Sequence, residues 1–145
     1  MTDKRASVVD TDVFSHLYVH VNSADPRVLA WRELLRDKRV LISFQTRAEV
    51  LAGSIGANWG SRRMATLRAL LDRTPTIRAD DDVIEAYASL GAACRRVGHG
   101  LQAKQHTADR WIAACAIAKD VDLLTGDGVF SDAPGLSLLV APRNV

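Results

Sequence analysis

A run of apolar, mostly small side chains at residues 111–118 limits the possible folds of this chain more than any other feature. A helix that is apolar on every side must be buried, and here it should lie against a sheet. The run leads into a short predicted strand at residues 121–125, and Gly126-Asp127-Gly128 then form a turn. A buried helix followed by a buried strand is typical of a domain in which helices cover a β-sheet.

The rest of the chain alternates between the strand period and the helix period. Short aliphatic runs predict further strands at residues 6–9, 39–43, 74–77 and 136–140. Apolar side chains spaced three and four apart predict helices at residues 13–21, 26–36, 61–72 and 83–97, and Ser43 or Thr46 opens one more. Residues 98–106 are predicted to be a polar loop, with Thr107 as the cap of the apolar helix. This alternation predicts an α/β sandwich with a mostly parallel sheet.

The totals narrow the class of protein only slightly. A length of 145 residues predicts one domain over residues 1–145. A net charge of +2 permits nucleic-acid binding without arguing for it. No apolar run approaches the roughly 18 residues of a membrane helix, and the start MTDKRASVVD does not resemble a signal peptide. Cys94 and Cys115 lie in apolar helical patterns and are predicted to be buried thiols, so we expect a cytoplasmic protein.

Acidic side chains fall where the predicted strands end. Asp10 follows the first strand, and Asp127 follows the strand at residues 121–125. Glu49 lies early in the helix after the second strand, and Asp109 lies in the first turn of the apolar helix. Because ligands of such sheets bind beyond the carboxyl ends of the strands, we expect these four carboxylates to converge. Carboxylates without a neutralising lysine are unfavourable together unless a cation binds, and Mg²⁺ prefers oxygen ligands.

Each acid also has a purely structural interpretation. Asp10 or Asp12 could cap the helix that follows. Glu49 could complete a capping box, and Asp109 could interact only with a helix dipole. Asp127, between two glycines, could serve a turn. The four histidines show no zinc-binding spacing, so the metal interpretation depends on the four acids reaching one sheet edge.

Three segments resemble the motifs of PIN-domain ribonucleases of the VapC type, the toxins of toxin–antitoxin pairs. VVDTDVF resembles the family's strand followed by Asp-Thr-Asn/Asp, and ISFQTRAEVLAG resembles its Ser-x-x-Thr-x-x-Glu pattern. ADRWIAACAIAKDVDLLTGDGVF resembles its Asp-x-x-Ile-Ala-Ala helix, next strand and Thr-x-Asp-x-x-Phe. The resemblance spans nearly the whole chain. It implies a PIN-like three-layer α/β/α sandwich with a mostly parallel central sheet, and a site formed by Asp10, Glu49, Asp109 and Asp127.

The resemblance also implies an activity and partners. It implies a Mg²⁺-dependent endoribonuclease, in which Mn²⁺ can substitute, that cleaves structured RNA such as tRNA or rRNA through a metal-activated water. It further implies a homodimer and a short VapB-like antitoxin whose C-terminal segment blocks the site. Asp10 and Asp109 are then the direct metal ligands, with Glu49 and Asp127 completing the site.

Further residues are expected to support these acids. Thr11 and Thr125 are candidates to bond the carboxylates or the scissile phosphate, and Asp12 is a candidate helix cap or outer metal ligand. Lys104 and Arg110 flank the predicted site and are candidates to contact RNA, because an acidic site needs counter-charge to bind a polyanion.

Two alternatives remain open at this stage. Asp10-x-Asp12 after an apolar strand also resembles the first motif of haloacid-dehalogenase phosphatases, in which Asp10 would be the nucleophile and Asp12 a general acid. That interpretation needs Lys104 or Lys119 to bind phosphate and gives Glu49 and Asp109 no role. The second alternative is a PIN-like binding module without catalysis.

Overall fold

The centre of the molecule is a parallel β-sheet. The structure is a computed structural model that describes residues 2–142. Strands β1 (Asp3–Val9), β2 (Arg39–Ser43), β3 (Thr76–Ile77) and β4 (Val121–Leu124) are arranged in the order β3-β2-β1-β4, and each neighbouring pair is parallel. Because β1 lies between β2 and β4, the residue that follows it lies at the middle of the carboxyl edge.

Six α-helices within the described residues connect and cover these strands. They are α1 (Thr11–Phe14), α2 (Pro26–Leu35), α3 (Phe44–Gly56), α4 (Ser61–Asp72), α5 (Asp81–Val97) and α6 (Thr107–Lys119). α1 continues as a π-helical turn, Ser15–Val19, and three 3₁₀ turns occupy Gly100–Gln102, Lys104–His106 and Gly128–Phe130. Within residues 2–142 no helix combines the length and the apolarity needed to cross a membrane.

The two faces of the sheet carry separate apolar cores, which makes the fold a three-layer sandwich. Consecutive strand residues point to opposite faces, so Leu123 packs with the core beneath α5 and α6 while Leu124 packs with the core beneath α1, α2 and α4. Residues 112–116 of α6 are at most 2% exposed, as the apolar run predicts. Cys94 and Cys115 are buried free thiols, which confirms that prediction too.

The segment before α6 differs from its prediction. The sequence predicts a polar loop at residues 98–106, whereas the structure forms two 3₁₀ turns around Leu101, whose side chain is fully buried. The prediction that Thr107 caps α6 is wrong by one position, because His106 is the N-cap residue. The Thr107 hydroxyl instead donates to the Lys104 carbonyl oxygen at 2.7 Å. One buried leucine therefore converts a polar stretch into ordered structure.

The first helix and the last strand also differ. The helix predicted at residues 13–21 begins at Thr11, because the Asp10 side chain caps it by accepting from Val13 N at 2.9 Å. Its π-helical turn ends at Val19. The strand predicted at residues 136–140 is reduced to a single parallel bridge between Leu123 and Leu138. β1 is longer than predicted, since it starts at Asp3.

Two glycine substitutions test the backbone assignments. Gly98 ends α5 with a φ of 70°, a conformation that strains any side chain. We expect Gly98→Ala to lower the free energy of unfolding by roughly 1 kcal/mol. Gly53 lies inside α3, where a Cβ would meet no atom within 4 Å, so Gly53→Ala should raise it by roughly 0.5–1 kcal/mol. Urea denaturation measures both, and a stabilising Gly98→Ala would contradict the assignment.

Candidate active site

An acidic cleft of about 420 Å³ lies where the strands end. Each predicted acid comes from a different element: Asp10 follows β1, Glu49 belongs to α3, Asp109 to α6, and Asp127 to the segment after β4. All four line this one cleft, as predicted from the carboxyl-edge rule. Asp12, Thr11, Ile112, Gly126 and Gly128 complete its lining. The structure therefore brings together five carboxylates, with no lysine or arginine in the described lining.

Asp10 is the most buried of these acids, with 5% of its surface exposed. Its Oδ1 accepts from the backbone N–H of Val13, and its Oδ2 accepts from the hydroxyl of Thr125. Its backbone N–H donates to the Leu124 carbonyl oxygen at 3.1 Å, which fixes the residue between β1 and β4. The capping interpretation of Asp10 is thus confirmed. It does not exclude cation binding, because each carboxylate oxygen has two lone pairs.

Burial makes the charge on Asp10 unfavourable. Desolvation raises the pKa of Asp10 from its ordinary value of 3.8 to about 6, against the lowering effect of its bonds to Thr125 and Val13. The negative charges of Asp12 and Asp109 raise this pKa further. A perturbed carboxyl group in a cleft is typical of a functional site, and a bound cation would relieve both the desolvation and the repulsion.

Glu49 is held by a chain of hydroxyl groups. The Thr11 hydroxyl donates to Glu49 Oε2 and lies 2.9 Å from the Thr46 hydroxyl. The Ser43 hydroxyl donates to Thr46 Oγ1 at 3.3 Å and caps α3 by accepting from Thr46 N at 3.0 Å. The capping-box interpretation of Glu49 is therefore wrong, because Ser43 is the cap and Glu49 bonds across to Thr11 instead.

Ser43 and Thr46 are predicted from the sequence only as candidate caps of α3, not as part of the site. Both side chains are fully buried beneath the cleft. The signal was present in the Ser-x-x-Thr-x-x-Glu spacing, which places Ser43, Thr46 and Glu49 on one side of the start of α3.

Asp109 and Asp127 each have a local partner. Asp109 Oδ2 lies 2.9 Å from Nδ1 of His106. Asp127 Oδ1 accepts from Val129 N at 2.9 Å, which confirms its turn interpretation, and Asp127 N donates to the Thr125 hydroxyl at 3.0 Å. Thr125 therefore joins Asp10 to the Asp127 segment, which gives it the supporting position predicted from the sequence.

Asp12 lies at the mouth of the cleft, with 60% of its side chain exposed. It is inside the first turn of α1, so the prediction that it caps this helix is wrong. Its carboxylate lies 3.3 Å from Nδ1 of His16, one turn along. A role as an outer ligand stays a prediction.

The donor chemistry of the cleft fits a hard divalent cation, although its side chains do not form a closed cage. Within residues 2–142, no three histidine, cysteine or acidic side chains are close enough to hold a metal ion together. The lining nevertheless offers carboxylate oxygens without thiols or imidazoles. Mg²⁺ keeps several waters and takes only one or two carboxylates from the protein, so an open arrangement suits it. Asp10 and Asp109 are the residues that could hold it.

The two predicted RNA contacts differ in their environment. Lys104 is exposed and lies in the second 3₁₀ turn, just before α6. The guanidinium group of Arg110 is directed into the protein, where it donates to the carbonyl oxygens of Leu101 and Ala103 and, at 3.0 Å, to the Thr107 hydroxyl. The structure thus gives Arg110 a structural role, and its contact with RNA stays a prediction.

The fold and the cleft define an α/β domain with a carboxylate site at the carboxyl edge of a parallel sheet. A family model described as PIN domain matches residues 7–136, so the chain belongs to the PIN domain family. The family match and the helix that follows Asp10 remove the support for a haloacid-dehalogenase fold, which requires a hairpin there.

Solved structures of toxin–antitoxin complexes have a similar fold. VapBC2 from Rickettsia felis, bound to a promoter DNA fragment, is 22% identical with a TM-score of 0.71, over 92% of this chain and 96% of that chain. DNA-bound VapBC from Salmonella typhimurium is 18% identical with a TM-score of 0.70, over 95% and 97%. VapBC-5 from Mycobacterium tuberculosis is 26% identical with a TM-score of 0.67, over 94% and 99%. No curated protein matches the chain.

The raised pKa of Asp10 predicts a pH-dependent effect of Asp10→Asn on stability. In the absence of divalent cations, the contribution of Asp10 to stability is fully present below about pH 3.8 and is lost as the pH rises through about 6. Asparagine keeps the cap without the charge. We therefore expect Asp10→Asn to raise the free energy of unfolding by roughly 2–3 kcal/mol at pH 7.5, and by much less at pH 4.

Urea denaturation of both proteins in EDTA at the two pH values measures this difference. Asp12→Asn is the matched control, because it removes an exposed carboxylate of the same cleft and should give a much smaller difference between the two pH values than Asp10→Asn. A gain for Asp10→Asn that is the same at pH 4 and pH 7.5 would show that burial does not penalise the Asp10 charge.

Proposed function

We propose that the protein is an endoribonuclease toxin of the VapC type that uses Mg²⁺ or Mn²⁺ to hydrolyse structured RNA. The observation that supports this proposal is the cleft itself. Acids from four separate elements line it, and one of them, Asp10, is buried and has a raised pKa. Such a site is poorly suited to bind a phosphate anion directly, because its described lining holds no lysine or arginine. It is well suited to bind a cation that in turn attracts the phosphate.

Each carboxylate has its own part in the proposed reaction. Asp10 and Asp109 hold the cation, and Asp127 completes the site. A bound divalent cation supplies positive charge that acidifies water and stabilises charge on the leaving oxygen. The Oε2 atom of Glu49 is fixed by Thr11, so Oε1 is the atom that orients the attacking water. Attack in line with the 3′ oxygen breaks the P–O3′ bond and leaves a 5′ phosphate and a 3′ hydroxyl group.

The antitoxin partner is proposed from the similar solved structures, which are VapBC toxin–antitoxin complexes. A second depression of about 240 Å³ shares Thr11 and Glu49 with the cleft and continues past His20 to Trp59. A short antitoxin segment that lies along it would reach the acids and exclude RNA. A short reading frame immediately upstream is the expected source of this partner. The homodimer and the cytoplasmic location are proposed on the resemblance alone.

A phosphatase is the weaker candidate. Neither Lys104 nor Lys119 lines the cleft, and Lys119 donates instead to Asp80 at 2.6 Å. The phosphate-binding lysine that this chemistry requires is therefore absent from the described lining. A binding module without catalysis would have the same fold and cleft, so only an activity assay distinguishes it from the nuclease.

Metal-dependent RNA cleavage that requires Asp109 is the central prediction. Purified protein incubated with total cellular RNA should give discrete fragments with Mg²⁺ or Mn²⁺ and none with EDTA. Asp109→Asn should lower the cleavage rate at least 100-fold, because the variant loses a ligand charge. Fragment ends should carry a 5′ phosphate, which ligation to an adapter detects.

The control is Asp82→Asn, which should keep the nuclease activity because Asp82 is exposed in the first turn of α5 and does not line the cleft. Phosphomonoester hydrolysis that depends on Asp12 and tolerates Asp109→Asn would instead establish the phosphatase. RNA binding without cleavage or hydrolysis would establish a binding module.

A lysine pair tests where RNA approaches. Lys104 precedes α6 at the end beside the cleft, whereas Lys119 closes the opposite end of the same helix. We expect Lys104→Ala to raise the KM for RNA several-fold with little change in kcat, and to reduce the salt dependence of binding, while Lys119→Ala leaves both unchanged. Equal effects of the two substitutions would show that RNA does not approach along the Lys104 turn.

A further inference from the structure

His106 contacts a site carboxylate from outside the cleft. Its Nδ1 lies 2.9 Å from Asp109 Oδ2, and both side chains are largely buried, with 25% and 29% exposed. Asp109 lines the cleft, whereas His106 does not. The imidazole is therefore placed to act on the carboxylate and not on a substrate within the cleft.

The contact replaces an ordinary helix cap. His106 is the N-cap residue of α6 and Asp109 is the third residue of that helix, the spacing at which an acid usually reaches back to the N-cap backbone N–H. Here that N–H donates to the Ala103 carbonyl oxygen at 2.9 Å. The imidazole takes over as the donor to Asp109, and the side chain of His106 makes no capping bond of its own.

The backbone around His106 is fixed independently of the imidazole. Arg110, one turn along α6, donates to the carbonyl oxygens of Leu101 and Ala103 and holds both 3₁₀ turns against the helix. Leu101 is fully buried beneath them. Because the imidazole takes no part in these contacts, its loss should leave the turns in place and change mainly the orientation of Asp109.

We propose that His106 is a positioning residue, whose Nδ1–H fixes the rotamer of Asp109 so that Oδ1 faces the cation site. This inference rests on the proposed function, since it assigns a partner to one of the proposed ligands. A donor bonded to one oxygen of a ligating carboxylate restricts its rotation, and loss of such an outer partner typically lowers metal affinity about 10–100-fold.

The chemistry of the proposal separates two nearly isosteric substitutions. The side-chain nitrogen of asparagine lies close to the position of histidine Nδ1, whereas that of glutamine lies close to the position of Nε2. His106→Asn therefore keeps a donor toward Asp109, and His106→Gln moves it away. Both substitutions remove the imidazole ring, so any difference between them reports on the position of the donor.

The test measures Mn²⁺ binding to the purified chain by electron paramagnetic resonance titration, without RNA. We expect His106→Gln to bind Mn²⁺ about tenfold more weakly than the wild type, and His106→Asn to bind within about twofold of it. In RNA cleavage, His106→Gln should lose kcat at low Mn²⁺ and regain it at saturating Mn²⁺, with KM for RNA unchanged. Thermal unfolding without metal should be the same for both variants.

His16→Gln is the matched control, because it removes a second close histidine–aspartate contact of the described residues, at the exposed Asp12, and should leave Mn²⁺ affinity unchanged. Equal loss in the asparagine and glutamine variants, or loss in neither, would overturn the positioning role. If Asp109→Asn weakens Mn²⁺ binding while both His106 variants bind normally, the nuclease proposal stands and this inference fails. If the wild-type chain binds no Mn²⁺, both fail.

Discussion

The burial of one carboxylate, that of Asp10, is the constraint around which the rest of the site is arranged. Strand β1, which lies between β2 and β4, ends directly before this residue, so the Asp10 side chain lies at the start of α1 and beside the end of β4. A backbone N–H and a hydroxyl group satisfy its oxygens, yet desolvation still raises its pKa to about 6. Near neutral pH, the charge on Asp10 therefore lowers the free energy of unfolding by about 3 kcal/mol, even with these hydrogen bonds in place. Natural chains retain such penalties chiefly at functional sites.

A second buried carboxylate in the same sheet has a cationic side chain beside it. Asp122 of β4 is 2% exposed, comparable to Asp10. Its Oδ2 lies 3.6 Å from the ammonium nitrogen of Lys4, and its Oδ1 accepts from the Ser137 hydroxyl at 2.6 Å. Asp122, which is remote from the cleft, thus has a lysine beside it, whereas Asp10, inside the cleft, has other acids beside it. That difference is expected if an external cation completes the cleft.

The sequence was sufficient to place the acids but not to identify what holds them. Ligands bind beyond the carboxyl ends of parallel strands, so the prediction required only a parallel sheet in which Asp10 and Asp127 follow strands. The alternation of strand and helix patterns was enough to predict that arrangement. The bond between Thr11 and Glu49 joins residues 38 positions apart and depends on how α1 packs on α3, which no local pattern encodes. The pairing of His106 with Asp109 is local, but dipole, capping and metal interpretations share its spacing. Local patterns therefore predicted where the acids lie, but not which side chains hold them.

The separate partners of the acids explain how the cleft can be stable before a cation binds. Glu49 bonds to Thr11, Asp109 to His106, and Asp127 to the N–H of Val129, so each carboxylate has its own donor. Each donor stabilises negative charge and keeps its carboxylate from turning onto a neighbouring one, which limits the mutual repulsion. This accounts for the absence of a closed three-ligand cage within residues 2–142. Asp10 has donors as well, but its burial still raises its pKa to about 6, so a bound cation would lower the free energy of its charged form.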